Sequence, residues 1–155
     1  MEQVQFRRAE AADMAAIMAM QRETFHGEQA IPLKDIEAFL AMNPQSWIAE
    51  QGGALVGTAS AWHEQGQLHW GRFIVSKPLR GQHIGTQLAA YSFTQLFSQN
   101  ADVIFMEARE TTVSIVCKMG GTVIGKARPF YKGTVTPVVL KKDDFIYPAA
   151  GSPRI

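Results

Sequence analysis

Residues 75–88, Val-Ser-Lys-Pro-Leu-Arg-Gly-Gln-His-Ile-Gly-Thr-Gln-Leu, join the end of an apolar run to the start of an amphipathic one through two glycines. Glycine permits a tight turn, and the first N–H groups of a helix have no intrahelical partner, so such a segment gathers backbone donors at one point. That point suits an anion. A helix end contributes on the order of 0.3–1 kcal/mol per charge, and the N–H groups add charge-assisted hydrogen bonds. Neither Gly-Lys-Ser/Thr nor the G-x-G-x-x-G spacing follows, which excludes a P-loop and a dinucleotide fingerprint. A proton acceptor is found one turn earlier. If Gln65-Gly66 forms a two-residue turn, Glu64 faces Gln67, His63 faces Leu68 and Trp62 faces His69, so Glu64 and His69 share a face that His63 does not. A carboxylate and an imidazole on one face suit general-base chemistry, and the same parity argues against a metal shared by His63 and His69. Without that chemistry, Glu64 is a solvated hairpin-end residue and His69 a half-buried one. Glu107 is a third candidate base, with an ion pair to Arg109 or Arg72 as its competing reading. Arg72 suits either a substrate carboxylate or a glutamate on a neighbouring strand. Cys117, flanked by apolar residues, reads as a small buried side chain.

These residues need elements to hold them. Val4 and Phe6 alternate with polar neighbours as a short strand, and Met14, Ile17, Met18, Gln21 and Phe25 fall at helical spacing behind Asp13, a natural cap. Pro32 opens a second helix with Ile36, Phe39 and Leu40, which Asn43-Pro44 ends. Residues 47–50, 54–62 and 68–75 read as three strands joined by turns at Gln51-Gly52-Gly53 and Gln65-Gly66. A helix from about residue 84 buries Ile84, Leu88, Tyr91 and Leu96, and 103–108 is a strand. A helix over 111–119 and strands at 122–125 and 136–140 close the pattern, with Pro148, Gly151 and Pro153 marking an irregular tail. The order βααβββαβαββ describes one mixed α/β domain over residues 1–145, with 146–155 as its tail.

The chain has 155 residues, 46% of them hydrophobic, enough for one domain with a real core. Its single cysteine excludes an internal disulfide framework and multi-cysteine metal sites, and fits a reducing, cytoplasmic setting. No apolar run approaches the roughly 20 residues of a membrane span, and no leader is expected at the N-terminus. A net charge of +1 gives no basis for nucleic-acid binding. The charge is uneven, however: residues 1–70 hold 4 Lys and Arg against 9 Asp and Glu, and residues 71–155 hold 11 against 5.

The segment Arg80-Gly81-Gln82-His83-Ile84-Gly85 resembles the coenzyme A pyrophosphate loop, R/Q-x-x-G-x-G/A, of the GNAT N-acetyltransferase superfamily. Ala108-Arg109 followed by Val113–Gly121 is similar to that family's A-R…P/S-F-Y-x-K-L-G-F segment, and the order of elements agrees over roughly residues 4–142. Two departures stand out. His83 occupies the place of the loop's second glycine, which requires a negative φ there, and Val116 and Gly121 replace the usual tyrosine and phenylalanine.

The resemblance implies an acyl-CoA N-acyltransferase fold with a mostly antiparallel mixed sheet, and acetyl-CoA as co-substrate. Phe73, Ile74 and Val75 would hold the pantetheine arm, and Arg80, Gly81, Gln82, His83, Ile84, Gly85 and Thr86 the pyrophosphate. The reaction it implies is direct attack of a primary amine of a small molecule on the thioester. Glu64, His69 and Glu107 are candidate bases, and Tyr131 is the candidate acid in place of the tyrosine absent at Val116. A thiolate of pKa about 8.5 also leaves unaided. The basic C-terminal half fits a polyanionic cofactor, and the acidic N-terminal half suits a cationic acceptor. No metal, nucleic-acid or membrane partner is expected, and a homodimer accords with the family. Two alternatives remain open at this stage, an acyl-CoA sensor without turnover and a phosphate- or nucleotide-binding regulatory domain.

Overall fold

The computed structural model describes residues 3–81 and 83–148. Strand β1 (Val4–Arg8) is followed by helix α1 (Met14–Gln21), a wide π-helical stretch over Arg22–Glu28, and helix α2 (Leu33–Glu37), which tightens into a 3-10 turn at Ala38–Met42. Strands β2 (Gln45–Gln51), β3 (Ala54–Glu64) and β4 (Gln67–Val75) form a meander. Helix α3 (Ile84–Ser98), strand β5 (Val103–Ala108), helix α4 (Glu110–Lys118) and strands β6 (Thr122–Val123), β7 (Arg128–Pro129) and β8 (Thr134–Lys141) complete the chain. The sheet order is β1-β2-β3-β4-β5-β8-β6, with β7 paired to β8. Every pairing is antiparallel except β4 with β5.

Both short hairpin turns arise from local chemistry. Gln65 and Gly66 have φ of 53° and 78°, and Gly52 and Gly53 have 59° and 81°. Two successive left-handed residues match the twist of the flanking strands, so each turn closes in two residues and fixes the register. Trp62 therefore pairs with His69, His63 with Leu68 and Glu64 with Gln67.

The sheet buries both faces. On one side α3 lays Leu88, Ala89, Phe93 and Leu96 against Trp47, Ala59 and Trp70, and the Trp70 indole N–H donates to Ser92 Oγ at 2.9 Å. On the other, Met18, Phe25, Ile36 and Phe39 enclose Ile74, with Met14, Met20 and Trp62 at the margin. Of the α1 methionines, Met18 is thus buried in this cluster and Met14 and Met20 pack against it. Phe145 packs near Phe93 and Phe97, and the Ile146 N–H reaches Met119 O at 2.9 Å, which keeps the chain on the core into the expected tail. Residues 149–155 of that tail lie outside the described residues.

Several local expectations differ from the structure. The first helix does not run evenly to Phe25 but widens at Arg22 into the π-helical stretch. Asp13 does not cap α1; its carboxylate accepts hydrogen bonds from Arg7 and from the Glu10 N–H, bracing the turn before it. Strand β7 was not expected, because two residues carry no periodic signal. Cys117 is exposed rather than buried, since Val116 and Met119 take the inward positions of α4.

Candidate active site

Strands β4 and β5 run parallel but are in register only at His69 and Phe105. Beyond that pair they diverge, and Gly71, Arg72 and Phe73 on one side and Met106, Glu107 and Ala108 on the other line a cavity of about 470 Å³. A bulge in β4 accompanies the divergence. Thr58 pairs with Ile74 and Ser60 with Gly71, so Arg72 and Phe73 together oppose Ala59, and Arg72 takes a left-handed φ of 52°. An extra residue in one strand leaves backbone groups outside the ladder and re-aims side chains, a frequent feature beside active sites.

The wall opposite the sheet comes from the α1–α2 region (Phe25, Gln29, Ile31, Asp35) and from the tight turn between β7 and β8, which contributes Phe130 and Tyr131. A second groove of about 600 Å³ runs along Phe73–Val75 to Arg80, Gly81, His83, Gly85 and Thr86. Phe73, Gln29, Arg109 and Thr112 line both, so the two spaces meet at these residues.

The loop reaches the groove where α3 begins. His83 precedes α3 at φ 66°, ψ 7°, so the negative φ expected there is not observed; an imidazole side chain occupies the left-handed region that histidine enters more readily than branched residues. The first N–H groups of α3 have no intrahelical partner, and His83, Gly85 and Thr86 line the groove there. A Cβ on Gly85 would stand 3.1 Å from the Phe73 ring and 3.4 Å from Val75 Cγ2, so the glycine lets the helix start lie against β4. These contacts are to side chains of the groove wall. Ile84 lines neither space; it is buried beneath α3 in the core. Gln82 lies outside the described residues. Arg80 donates from Nε to Val75 O at 2.8 Å and pairs with Glu28.

The structure brings all four candidate catalytic side chains to the first cavity. Glu64 and His69 share its floor, as their parity requires, whereas His63 lines neither space. The Trp62 indole donates to Glu64 Oε1 at 3.2 Å, and the Trp62 and His69 rings lie nearly parallel at 12°. Glu107 is ion-paired, but with Arg128 rather than with Arg109 or Arg72. The Tyr131 hydroxyl donates to Asp35 Oδ2 at 3.3 Å, and loss of solvent, with the neighbouring carboxylate, holds its pKa above the ordinary phenol value.

Two arginines matter more than the sequence indicated. Among the described residues Arg72 pairs with no glutamate; it donates to Gln21 Oε1 and to the Ile36 and Asp35 carbonyls, and lies over the Phe39 ring at 4.9 Å. Burial lowers its pKa, partly offset by Asp35. Arg109 donates to Phe130 O at 2.8 Å and to Gln29 Oε1 at 2.7 Å, and lies 5.1 Å from the Phe130 ring. Its partners stand 21 and 80 residues away, so spacing gave no sign of them.

Val116 is fully buried and lines neither space, so the position resembling the family's tyrosine offers no proton. Among the described residues no group of three His, Cys, Asp or Glu side chains could hold a metal, and no helix is long and apolar enough to cross a membrane.

The model of the acetyltransferase (GNAT) family matches residues 13–117. Escherichia coli ElaA superposes with a TM-score of 0.76 at 18% identity, covering 90% of this chain and 99% of that one. An acyl-CoA N-acyltransferase from Pseudomonas aeruginosa gives 0.75 at 17%, covering 88% and 99%. A ribosomal-protein-alanine N-acetyltransferase from Brucella melitensis gives 0.69 at 17%, again covering 88% and 99%. No curated protein matches the sequence. With the family model spanning most of the chain, and with the divergent β4–β5 pair, the bulge and the glycine-bearing loop in place, the protein belongs to the GNAT acetyltransferase family.

Proposed function

We propose that this protein transfers an acetyl group from acetyl-CoA to the primary amine of a small molecule. The observation that carries the reading is the junction of two spaces at Phe73, Gln29, Arg109 and Thr112, where a donor in the groove and an acceptor in the cavity would meet. The open N–H groups at the start of α3 suit the pyrophosphate, and Phe73–Val75 suit the pantetheine arm.

The acceptor amine attacks the thioester carbonyl; a C–N bond forms, the C–S bond breaks, and the thiolate departs. The amine's proton passes to the Glu64–His69 pair. Glu107 is the weaker candidate because Arg128 neutralises it, and Tyr131 is a poor acid because its hydroxyl already donates to Asp35. The thiolate leaves without a dedicated donor, consistent with a thiol pKa of about 8.5. Backbone N–H groups released at the bulge suit the negative charge that develops on the carbonyl oxygen, a contribution worth roughly 2.7–4 kcal/mol per donor where measured elsewhere.

Thiol release from acetyl-CoA over a panel of amines tests the reading. Acetylated product with at least one amine is expected, together with coenzyme A binding that ATP does not match. Coenzyme A binding without turnover of any amine would favour the acyl-CoA sensor, for which the buried Val116 is the supporting observation.

A further inference from the structure

Among the described residues three arginines line the acceptor cavity, and they are not equivalent. Arg128 is neutralised by Glu107. Arg72 is fastened by three hydrogen bonds and an aromatic face, with Asp35 close enough to favour its charge. Arg109 has no such neighbour: among the described residues no carboxylate pairs with it, and its two hydrogen bonds run to a carbonyl and an amide oxygen. Burial alone acts on its charge, and lowers its pKa. A guanidinium has five N–H donors in a planar fork matched to a carboxylate, and two of Arg109's are accounted for.

Position narrows the ligand. Arg109 stands at the junction of the two spaces, so an anion bound to it lies only a few bonds from the amine that meets the thioester. Phe25, Trp62, Phe73, Phe130 and Tyr131 give the wall aromatic surface beside its charged side chains. The acidic surplus of residues 1–70 does not oppose this. Asp13 and Glu50 pair with Arg7, Glu37 with Arg22 and Glu28 with Arg80, and among the described acidic residues of that region only Asp35 and Glu64 reach the cavity.

We propose, resting on the acetyl-transfer reading above, that Arg109 selects the acceptor by binding a carboxylate next to the reacting amine. The substrate class is then the α-amino acids with apolar or aromatic side chains, and not polyamines. Gly133 supports the arrangement, because a Cβ there would lie 2.8 Å from Arg109 Nη1 and displace the fork.

Matched acceptors separate this role from simple bracing of the turn. Thiol release is measured with L-phenylalanine against phenethylamine, which lacks only the carboxylate, and with L-leucine against isopentylamine; spermidine serves as the polyamine. The wild-type chain is expected to favour each amino acid over its amine. In Arg109→Gln the ratio of kcat/KM between the members of a pair falls about 10- to 100-fold through the KM of the amino acid, the range for losing a hydrogen bond to a charged group. Arg109→Lys retains part of the ratio. A wild-type preference for the bare amines or spermidine, or an equal loss on both members of each pair in Arg109→Gln, would overturn the inference while leaving acetyl transfer intact. Coenzyme A binding with no turnover of any acceptor would instead overturn the acetyl-transfer reading, and this inference with it.

Discussion

The Glu28 carboxylate receives two hydrogen bonds from the Arg80 guanidinium, at 3.1 and 3.3 Å, across the groove that both residues line. Glu28 thereby brings a negative charge to a groove whose proposed occupant is a polyanion. Both side chains are more than a third exposed, so the pair itself contributes only about 0.2–1 kcal/mol. Glu28→Gln is expected to tighten coenzyme A binding by about 1.5- to 5-fold at low salt, with the gain shrinking as salt screens the charge. Calorimetry at two ionic strengths measures it, and weaker binding in the variant would mean that Glu28 supports the loop instead of competing for Arg80.

Gly85 is the loop residue with the least room. A Cβ would press on the Phe73 ring, and the branched methyls of valine would crowd Val75 and Ile115 as well. The helix start must then move away from β4. Gly85→Val is expected to weaken coenzyme A binding more than about tenfold, beyond the ~0.7 kcal/mol range of ordinary helix propensities. Unchanged affinity by calorimetry would refute the loop's role.

Tyr131 is already a donor to Asp35, and its raised pKa keeps it protonated through the neutral range. Tyr131→Phe is therefore expected to change kcat by less than about tenfold, since a positioned general acid contributes about 10²–10⁴-fold. The sign for pH follows from the raised value. Whatever Tyr131 adds to stability is fully present below the ordinary phenol pKa of 10.0 and is lost only as pH rises through the higher folded value. A kcat loss of a hundredfold, or a basic limb in kcat that disappears in the phenylalanine variant, would make Tyr131 the acid after all.

Ser92 satisfies the indole N–H of a tryptophan that is 2% exposed. Ser92→Ala leaves that donor unpaired in the core between α3 and the sheet. The expected loss is about 1–3 kcal/mol in urea denaturation, the cost of an unsatisfied buried group. A loss below 0.5 kcal/mol on that scale would indicate that the core relaxes to give the indole another acceptor.

The strands, the α3 helix and the two-residue turns follow from short-range signals in the sequence: alternation, helical spacing and glycine at left-handed positions. The register that puts Glu64 and His69 on one face depends only on the Gln65-Gly66 turn, which adjoins Glu64 and precedes His69 by three residues, and was therefore readable from spacing. The glycine-bearing loop was readable for the same reason. Val116 could be located by its place in the Val113–Gly121 segment, but its burial, and the exposure of Cys117 beside it, depend on which face of α4 meets the sheet.

What the sequence alone determined is thus the order of elements, the glycine-bearing turn that leads into α3 and the shared face of Glu64 and His69. Each depends on residues a few positions apart. The tertiary structure decided the divergence of β4 from β5, the bulge that sets Arg72 at a positive φ, and the partners of every arginine at the site. Arg80 meets Glu28, Arg128 meets Glu107, and Arg109 meets Gln29 and Phe130, all across separations of 21 residues or more. Such contacts form only when the sheet opens and the α1–α2 region and the β7–β8 turn close over the gap. Only that closed arrangement sets Arg109 at the cavity with a carbonyl and an amide oxygen as its partners and, among the described residues, no paired carboxylate.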